Sequence, residues 1–175
     1  MKQELNVELV KTVFDCAKIY RLKSRSDNRG PMTCIYDGSI EDFEIKETRS
    51  YTMPKKGTFF GIHYREEKDP MAKLVSVIKG RGMDYLVDLR KNSPTYLKWE
   101  SIELSAENAL SVLVPAGIGH AFLSLEDDTI HIFSCDKTGN EAHSKQLNYA
   151  DKKIGLQLAM PITQISDYDL HAPCL

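Results

Sequence analysis

Lys73-Leu-Val-Ser-Val-Ile-Lys-Gly-Arg-Gly-Met-Asp-Tyr-Leu-Val-Asp-Leu89 is the stretch that decides the fold. It holds two short β-type runs, Lys73–Ile78 and Met83–Leu89, rich in Val, Ile, Leu and Tyr. Lys79-Gly-Arg-Gly82 lies between them, where glycine permits the positive φ of a tight turn. Working outward, Ala109-Leu-Ser-Val-Leu-Val114 and Thr129-Ile-His-Ile-Phe-Ser134 repeat the pattern, with breaks at Ser93-Pro94 and Pro115-Ala-Gly117. Short strands at this spacing, from about Lys46 onward, predict a mostly β sandwich or barrel. The first 23 residues are ambiguous: Leu5, Leu9, Val13 and Ala17 fit a helical stripe, while Val13-Phe14 and Ile19-Tyr20 could open strands. One or two short helices are expected near the termini, and a weak one between Glu100 and Asn108.

The 175 residues are 42% hydrophobic and 27% charged, which fits one domain, residues 1–175, with a core of its own. Lys and Arg total 23 against 25 Asp and Glu, a formal charge of −2. Nucleic-acid binding needs a basic surface, so it is not expected. Two or three placed cations could still hold a small anion. The uncharged run Ala109–Leu125 is too short and interrupted to span a bilayer. Lys2, Glu4, Glu8 and Lys11 leave no signal-peptide core. Cys16, Cys34, Cys135 and Cys174 include no CxxC and read as free thiols in a reducing cytoplasm.

Two of the five histidines stand out. His63 lies in the aromatic run Gly57-Thr-Phe-Phe-Gly-Ile-His-Tyr64, and His120 follows the turn Pro115-Ala-Gly-Ile-Gly119 that ends an apolar strand. Each reads either as a satisfied core residue or as a group facing a pocket. A metal site in a small β-barrel often uses an HxH pair, because alternate residues share a face. Here Tyr64 and Arg65 follow His63, so the pair is missing and metal is the weaker reading; no other cofactor is expected. No glycine-rich phosphate loop is present in the sequence.

The motifs Asp27-Asn-Arg29-Gly30, Gly61-Ile-His63-Tyr64, Lys73-Leu-Val, Gly82-Met-Asp84-Tyr-Leu-Val-Asp88-Leu-Arg90, Ser93-Pro-Thr95, Pro115-Ala-Gly-Ile-Gly-His120-Ala-Phe122 and Ser166-Asp-Tyr-Asp169-Leu-His-Ala-Pro173 occur in this order. The set closely resembles the dTDP-4-dehydrorhamnose 3,5-epimerase family, from about Asp27 to Leu175. The resemblance implies a cupin jelly-roll, two antiparallel sheets forming a small barrel. It implies a homodimer, with residues 1–26 as a dimer-contacting extension. It also implies a nucleotide-linked 4-keto-6-deoxyhexose as substrate, no metal, and a place in deoxysugar or surface-polysaccharide (O-antigen) synthesis.

A C–H beside a ketone is weakly acidic, so its removal needs a base and a group to stabilise the enolate oxygen. By the resemblance, His63 is the base and Asp169 orients it. Lys73 sits near the developing oxyanion. His120 and Asp84 support the site, and Arg29 pairs with the diphosphate across the dimer interface. The bland alternatives are exposed cations at Arg29 and Lys73, and turn or capping residues at Asp84 and Asp169.

Three departures qualify that picture. The family's catalytic tyrosine, which returns a proton on the face opposite the base, falls on Phe133. Tyr51, on the run before His63, and Cys135, two residues beyond Phe133, are substitute donors. Phe60 stands where the family has an arginine for the substrate. Cys34, Thr48, Ser50 and Gly139 replace side chains expected to hold thymine, so a CDP-sugar is as open as a dTDP-sugar. The reading is an epimerase acting at C3, with action at C5 as well left open. The alternatives are a non-catalytic sugar-nucleotide binder derived from an epimerase, or a keto-sugar isomerase using the same enolate.

Overall fold

The computed structural model describes residues 6–139 and 143–175. In chain order the strands are β1 (Val7–Val13), β2 (Ala17–Leu22), β3 (Ser24–Asp27), β4 (Gly30–Thr33), β5 (Glu47–Met53), β6 (Thr58–Tyr64), β7 (Lys73–Lys79) and β8 (Arg81–Asp88). They continue with β9 (Trp99–Ser105), β10 (Leu110–Val114), β11 (Ile118–Ser124), β12 (Thr129–Cys135), β13 (Lys145–Leu147) and β14 (Gln164–Ile165), before the single turn of helix α1 (Asp167–Leu170). One six-stranded sheet has the order β1-β2-β10-β7-β12-β5. The second main sheet has the order β13-β6-β11-β8-β9, with β14 also against β6. Pairing is antiparallel except for β14 on β6. This is the expected cupin jelly-roll.

The two sheets face each other across a shared core. Ala17 and Ile19 from β2, Met53 from β5, Val75 and Val77 from β7, Val112 and Val114 from β10 meet Leu86, Leu104, Ile118 and Phe122. Both outer faces are covered as well. The C-terminal segment lays Ile154, Leu156, Leu158, Met160 and Ile162 over Phe59, Ile62, Tyr85, Val87 and Leu123 on the second sheet. Ile40 and Phe43 cover Tyr20, Leu74 and Leu113 on the first. A strand covered on both faces has no reason to alternate in polarity. That accounts for β11, buried at every position.

The connection Lys79–Gly82 is tight, with Gly80 at φ 71°. It does not close a hairpin: β7 belongs to the first sheet and β8 to the second, so the turn carries the chain across the sandwich. The N-terminal ambiguity resolves to strands. β1 and β2 pair antiparallel around a turn at Phe14 and Asp15, both at positive φ. The helical spacing of Leu9, Val13 and Ala17 does not bring them to one buried face, since Leu9 is exposed while Val13 and Ala17 are buried. Leu5 lies outside the described residues. The helix expected between Glu100 and Asn108 is instead β9, paired along β8 from Val87↔Trp99 to Arg81↔Ser105. Its neighbours outweigh its local propensity.

The Asp88-Leu-Arg90 and Ser93-Pro-Thr95 motifs tie down the loop after β8. The Asp88 carboxylate accepts from Arg90 Nε at 3.0 Å, Arg90 Nη2 at 2.8 Å, and the Ser93 and Thr95 hydroxyls at 2.6 Å each. Burial alone would raise the pKa of this carboxyl; the hydrogen bonds from Arg90, Ser93 and Thr95 outweigh it and hold Asp88 far below the usual range.

Candidate active site

Between the sheets lies a cavity of about 190 Å3. The second sheet contributes Phe60 and His63 from β6 and His120 from β11. The first sheet faces them with Arg49 from β5, Lys73 from β7, and His131, Phe133 and Cys135 from β12. An adjoining cleft shares Phe60 and His63 with this cavity and is lined also by Tyr51, Tyr168 and Asp169.

His63 and Asp169, 106 positions apart in sequence, meet because α1 packs on β6. Ser166 caps that turn, its hydroxyl accepting from the Asp169 N–H at 3.1 Å. Gly61 makes the approach possible: a Cβ there would come 2.7 Å from Asp169 Cγ. Asp169 Oδ2 accepts the Gly61 N–H at 3.1 Å, and Oδ1 lies 2.7 Å from His63 Nε2. Burial pushes the Asp169 carboxyl up, but the hydrogen bonds from His63, Gly61 and Ser166 prevail and hold it below the ordinary value. An ionised Asp169 is an acceptor, so Nε2 of His63 carries the proton and Nδ1 keeps its lone pair. Phe60 packs edge-on against the His63 ring at 4.5 Å between centroids, and Tyr168 lies at 5.9 Å. The imidazole is thus fixed in tautomer and orientation.

Lys73 is on the facing wall, opposite Cys135 on β12 and Val114 on β10. Part of the residue is exposed, but its ammonium is enclosed by protein. Desolvation brings it from 10.5 down to about 8, against the pull of Cys135 and Asp84. His120 stands opposite His63 in the β6–β11 register, and its Nε2 lies 2.6 Å from Asp84 Oδ2. Both are buried. Burial, reinforced by Lys73 and His63, keeps His120 neutral, and burial drives Asp84 well above the usual carboxyl range. The pair is therefore a hydrogen-bonded neutral couple under the cavity rather than a charged one. It offers no second anion to compete with Asp169.

Comparison with known proteins follows the same line. The family model described as dTDP-4-dehydrorhamnose 3,5-epimerase matches residues 11–175. The chain belongs to the dTDP-4-dehydrorhamnose 3,5-epimerase family. It is 33% identical over 162 residues to the dTDP-4-dehydrorhamnose 3,5-epimerase of Methanothermobacter thermautotrophicus, covering 90% of this chain and 86% of the relative. It is similar to the solved structure of the Bacillus anthracis dTDP-4-dehydrorhamnose 3,5-epimerase with TDP and PPi bound: TM-score 0.88, 27% identity, 97% of this chain and 99% of the other. It also resembles ChmJ, a 3'-monoepimerase from Streptomyces bikiniensis in complex with dTDP-quinovose, with TM-score 0.83 and 31% identity over 90% of this chain and 83% of the other. The protein is an isomerase-class epimerase.

In this family member the structure gathers most of the residues that the sequence singles out. His63, Lys73, His120, Phe60, Phe133 and Cys135 line the inner cavity, and Asp169 and Tyr51 line the adjoining cleft. Asp84 lies behind His120, without reaching the cavity surface. Arg29 does not join them within one chain. It sits in the β3–β4 hairpin, exposed, with Nη2 2.6 Å from Asp27 Oδ2. Cys34 and Thr48 are also elsewhere: the Cys34 thiol lies 3.7 Å from the Tyr36 carbonyl, and the Thr48 hydroxyl 2.9 Å from that of Ser134. Among the described residues no group of three or more His, Cys, Asp or Glu could hold a metal ion, and no helix is long and apolar enough to cross a membrane.

Arg49, Arg65 and His131 are polar lining residues that the sequence reading does not place in the site. Each is two positions from a residue that was named: Arg49 before Tyr51, Arg65 after His63, and His131 before Phe133. The period-2 alternation of a strand, which found Cys135, would have found them all. Arg65 Nη1 is buried without a hydrogen-bond partner, and desolvation lowers the guanidinium's pKa. The cavity is thus more cationic than Lys73 alone suggests.

Proposed function

We propose that this epimerase inverts C3 of a nucleotide-linked 4-keto-6-deoxyhexose, with His63 as the base. The observation that carries the reading is the His63–Asp169 pair on one wall, facing the desolvated Lys73 on the other. Nδ1 of His63 takes the proton from the carbon beside the ketone, and the imidazolium that forms is stabilised by Asp169. The enolate oxygen is stabilised by the Lys73 ammonium. Reprotonation from the opposite face completes the inversion.

That last proton comes from the first sheet, because the base is on the second. Phe133 has none to give. Tyr51 is the donor we favour: it lies on the wall facing His63, 42% exposed, with its ring 5.8 Å from Phe60. Cys135 is the alternative, a buried thiol whose pKa burial raises. A site with one weakly placed donor suits one inversion better than two. The Streptomyces bikiniensis 3'-monoepimerase supports the same choice. TDP and dTDP-quinovose in related structures favour dTDP as the nucleotide, over CDP. Arg29 reaches the diphosphate of a neighbouring protomer in a homodimer contacted through residues 1–26, and the enzyme works in the cytoplasm on a sugar for surface polysaccharide.

The test is incubation with dTDP- and CDP-4-keto-6-deoxyglucose in heavy water, with NMR of the recovered sugar. Deuterium at C3 and inverted product are expected. No deuterium at C3 or C5 with either substrate would leave the sugar-nucleotide binder as the better reading. A changed position of the ketone would identify an isomerase. Tyr51→Phe should slow turnover by about 10²–10⁴-fold; an unchanged rate would pass the role to Cys135.

A further inference from the structure

We infer that His131 is a substrate-contacting residue that holds a hydroxyl of the sugar in the inner cavity, across from His63. The inference rests on the proposed function, and deepens it. His131 lies on β12, paired with Tyr51 on one side and Val77 on the other. It is 1% exposed, and lines the cavity together with His63 and His120. Its Nδ1 is buried with no hydrogen-bond partner.

The surroundings make this expensive. Four aromatic rings stand around the imidazole, with centroids at 4.7 Å (Phe122), 5.9 Å (Tyr51 and Phe133) and 6.1 Å (Phe60). In such a place a buried polar atom left unpaired is destabilising, and a phenylalanine would pack as well without the loss. The protein retains a polar ring whose Nδ1 finds no partner in its own fold. The group it bonds therefore arrives with the ligand.

The protonation state narrows the chemistry. Burial, with His120 and Lys73 nearby, pushes His131 down to about 3, so it is neutral at working pH. A neutral imidazole has one N–H donor and one lone-pair acceptor. A ring nitrogen in either role suits a hydroxyl, which can take or give the one hydrogen bond it needs. It suits a diphosphate poorly, since phosphate prefers cations. His131 thus reads the sugar and not the nucleotide. Standing on the wall opposite the base, it fixes which face of the ring is turned to His63.

The test compares His131→Phe with wild type by calorimetry, using dTDP and dTDP-glucose as probes, with the melting temperature of the free protein alongside. The expected result has three parts. Affinity for dTDP stays within about twofold of wild type, affinity for dTDP-glucose falls about tenfold or more, and the free protein melts at the same or a higher temperature. His131→Gln, which keeps a donor and an acceptor, should retain part of the sugar's contribution. Equal loss for both probes would make His131 a structural residue. Unchanged affinity for both would remove it from the site. Failure of His131→Phe to fold would also overturn the inference, because the packing argument requires phenylalanine to be accepted. If wild type binds dTDP-glucose and its CDP-linked counterpart no better than the bare nucleotides, the proposed function itself fails, which is a separate outcome.

Discussion

Lys73→Met separates what the active site needs from what the fold needs. The substitution keeps a long flexible stem and removes an ammonium that the cavity desolvates. In the unfolded chain that ammonium titrates near 10.5; in the fold it titrates near 8. Below about pH 8 the folded protein therefore carries a cost of up to roughly 3 kcal/mol that the unfolded chain does not. Between pH 8 and 10.5 the unfolded state binds more protons than the folded one, so wild-type stability rises with pH there. Above that window Lys73 is neutral in both states and the cost is gone. Lys73→Met should thus melt about 6–12 °C higher than wild type at pH 7, at roughly 2–4 °C per kcal/mol for a domain of this size. The gap should shrink as pH rises from 8 towards 10.5. Turnover of the keto-sugar should fall by about 10²–10³-fold, the usual loss for one oxyanion-stabilising group. Calorimetric melting at pH 7, 8, 9 and 10, alongside initial rates at pH 7, makes the comparison. A variant less stable than wild type at pH 7, or a gap that stays constant with pH, would refute the claim that the Lys73 ammonium is desolvated.

Other variants probe separate parts of the account. Asp169→Asn should lower kcat by about 10²–10⁴-fold, because an amide neither stabilises the imidazolium nor enforces the tautomer, and substrate KM should change little. Asp88→Asn should cost about 2–3 kcal/mol at pH 7 in urea unfolding by breaking the Arg90, Ser93 and Thr95 bonds. That stability is present above the ordinary carboxyl pKa and lost as pH falls, so the gap between Asp88→Asn and wild type should narrow below about pH 4. Gly82→Ala should destabilise by about 1–3 kcal/mol, since a Cβ there would overlap the Phe122 ring and come 2.8 Å from the Leu123 carbonyl oxygen.

The strands flanking Gly80 were legible because their residues favour β structure and a glycine separates them. Their assignment to opposite sheets was not legible, because a tight turn looks the same whether it closes a hairpin or crosses a sandwich. The stretch from Glu100 to Asn108, which holds most of β9, misled through helix-friendly Glu, Leu and Ala, which count for less than a ready neighbour such as β8. His63, Lys73 and Asp169 came from motif order. Their chemistry came from burial, which motif order does not contain: the neutral state of His120 and Asp84 depends on both being enclosed with each other. Arg49, Arg65 and His131 were missed for a simpler reason. They lie outside the motifs, and only strand alternation points to them. Arg29 shows the opposite limit, a motif residue whose place within one chain is an exposed hairpin.

The central claim is that His63 removes a proton from the carbon beside the ketone. Deuterium wash-in at C3 of dTDP-4-keto-6-deoxyglucose, followed by NMR for wild type and His63→Asn under the same conditions, tests it most directly. The account predicts steady exchange in wild type and none above background in folded His63→Asn. Exchange at the wild-type rate in that variant would contradict it.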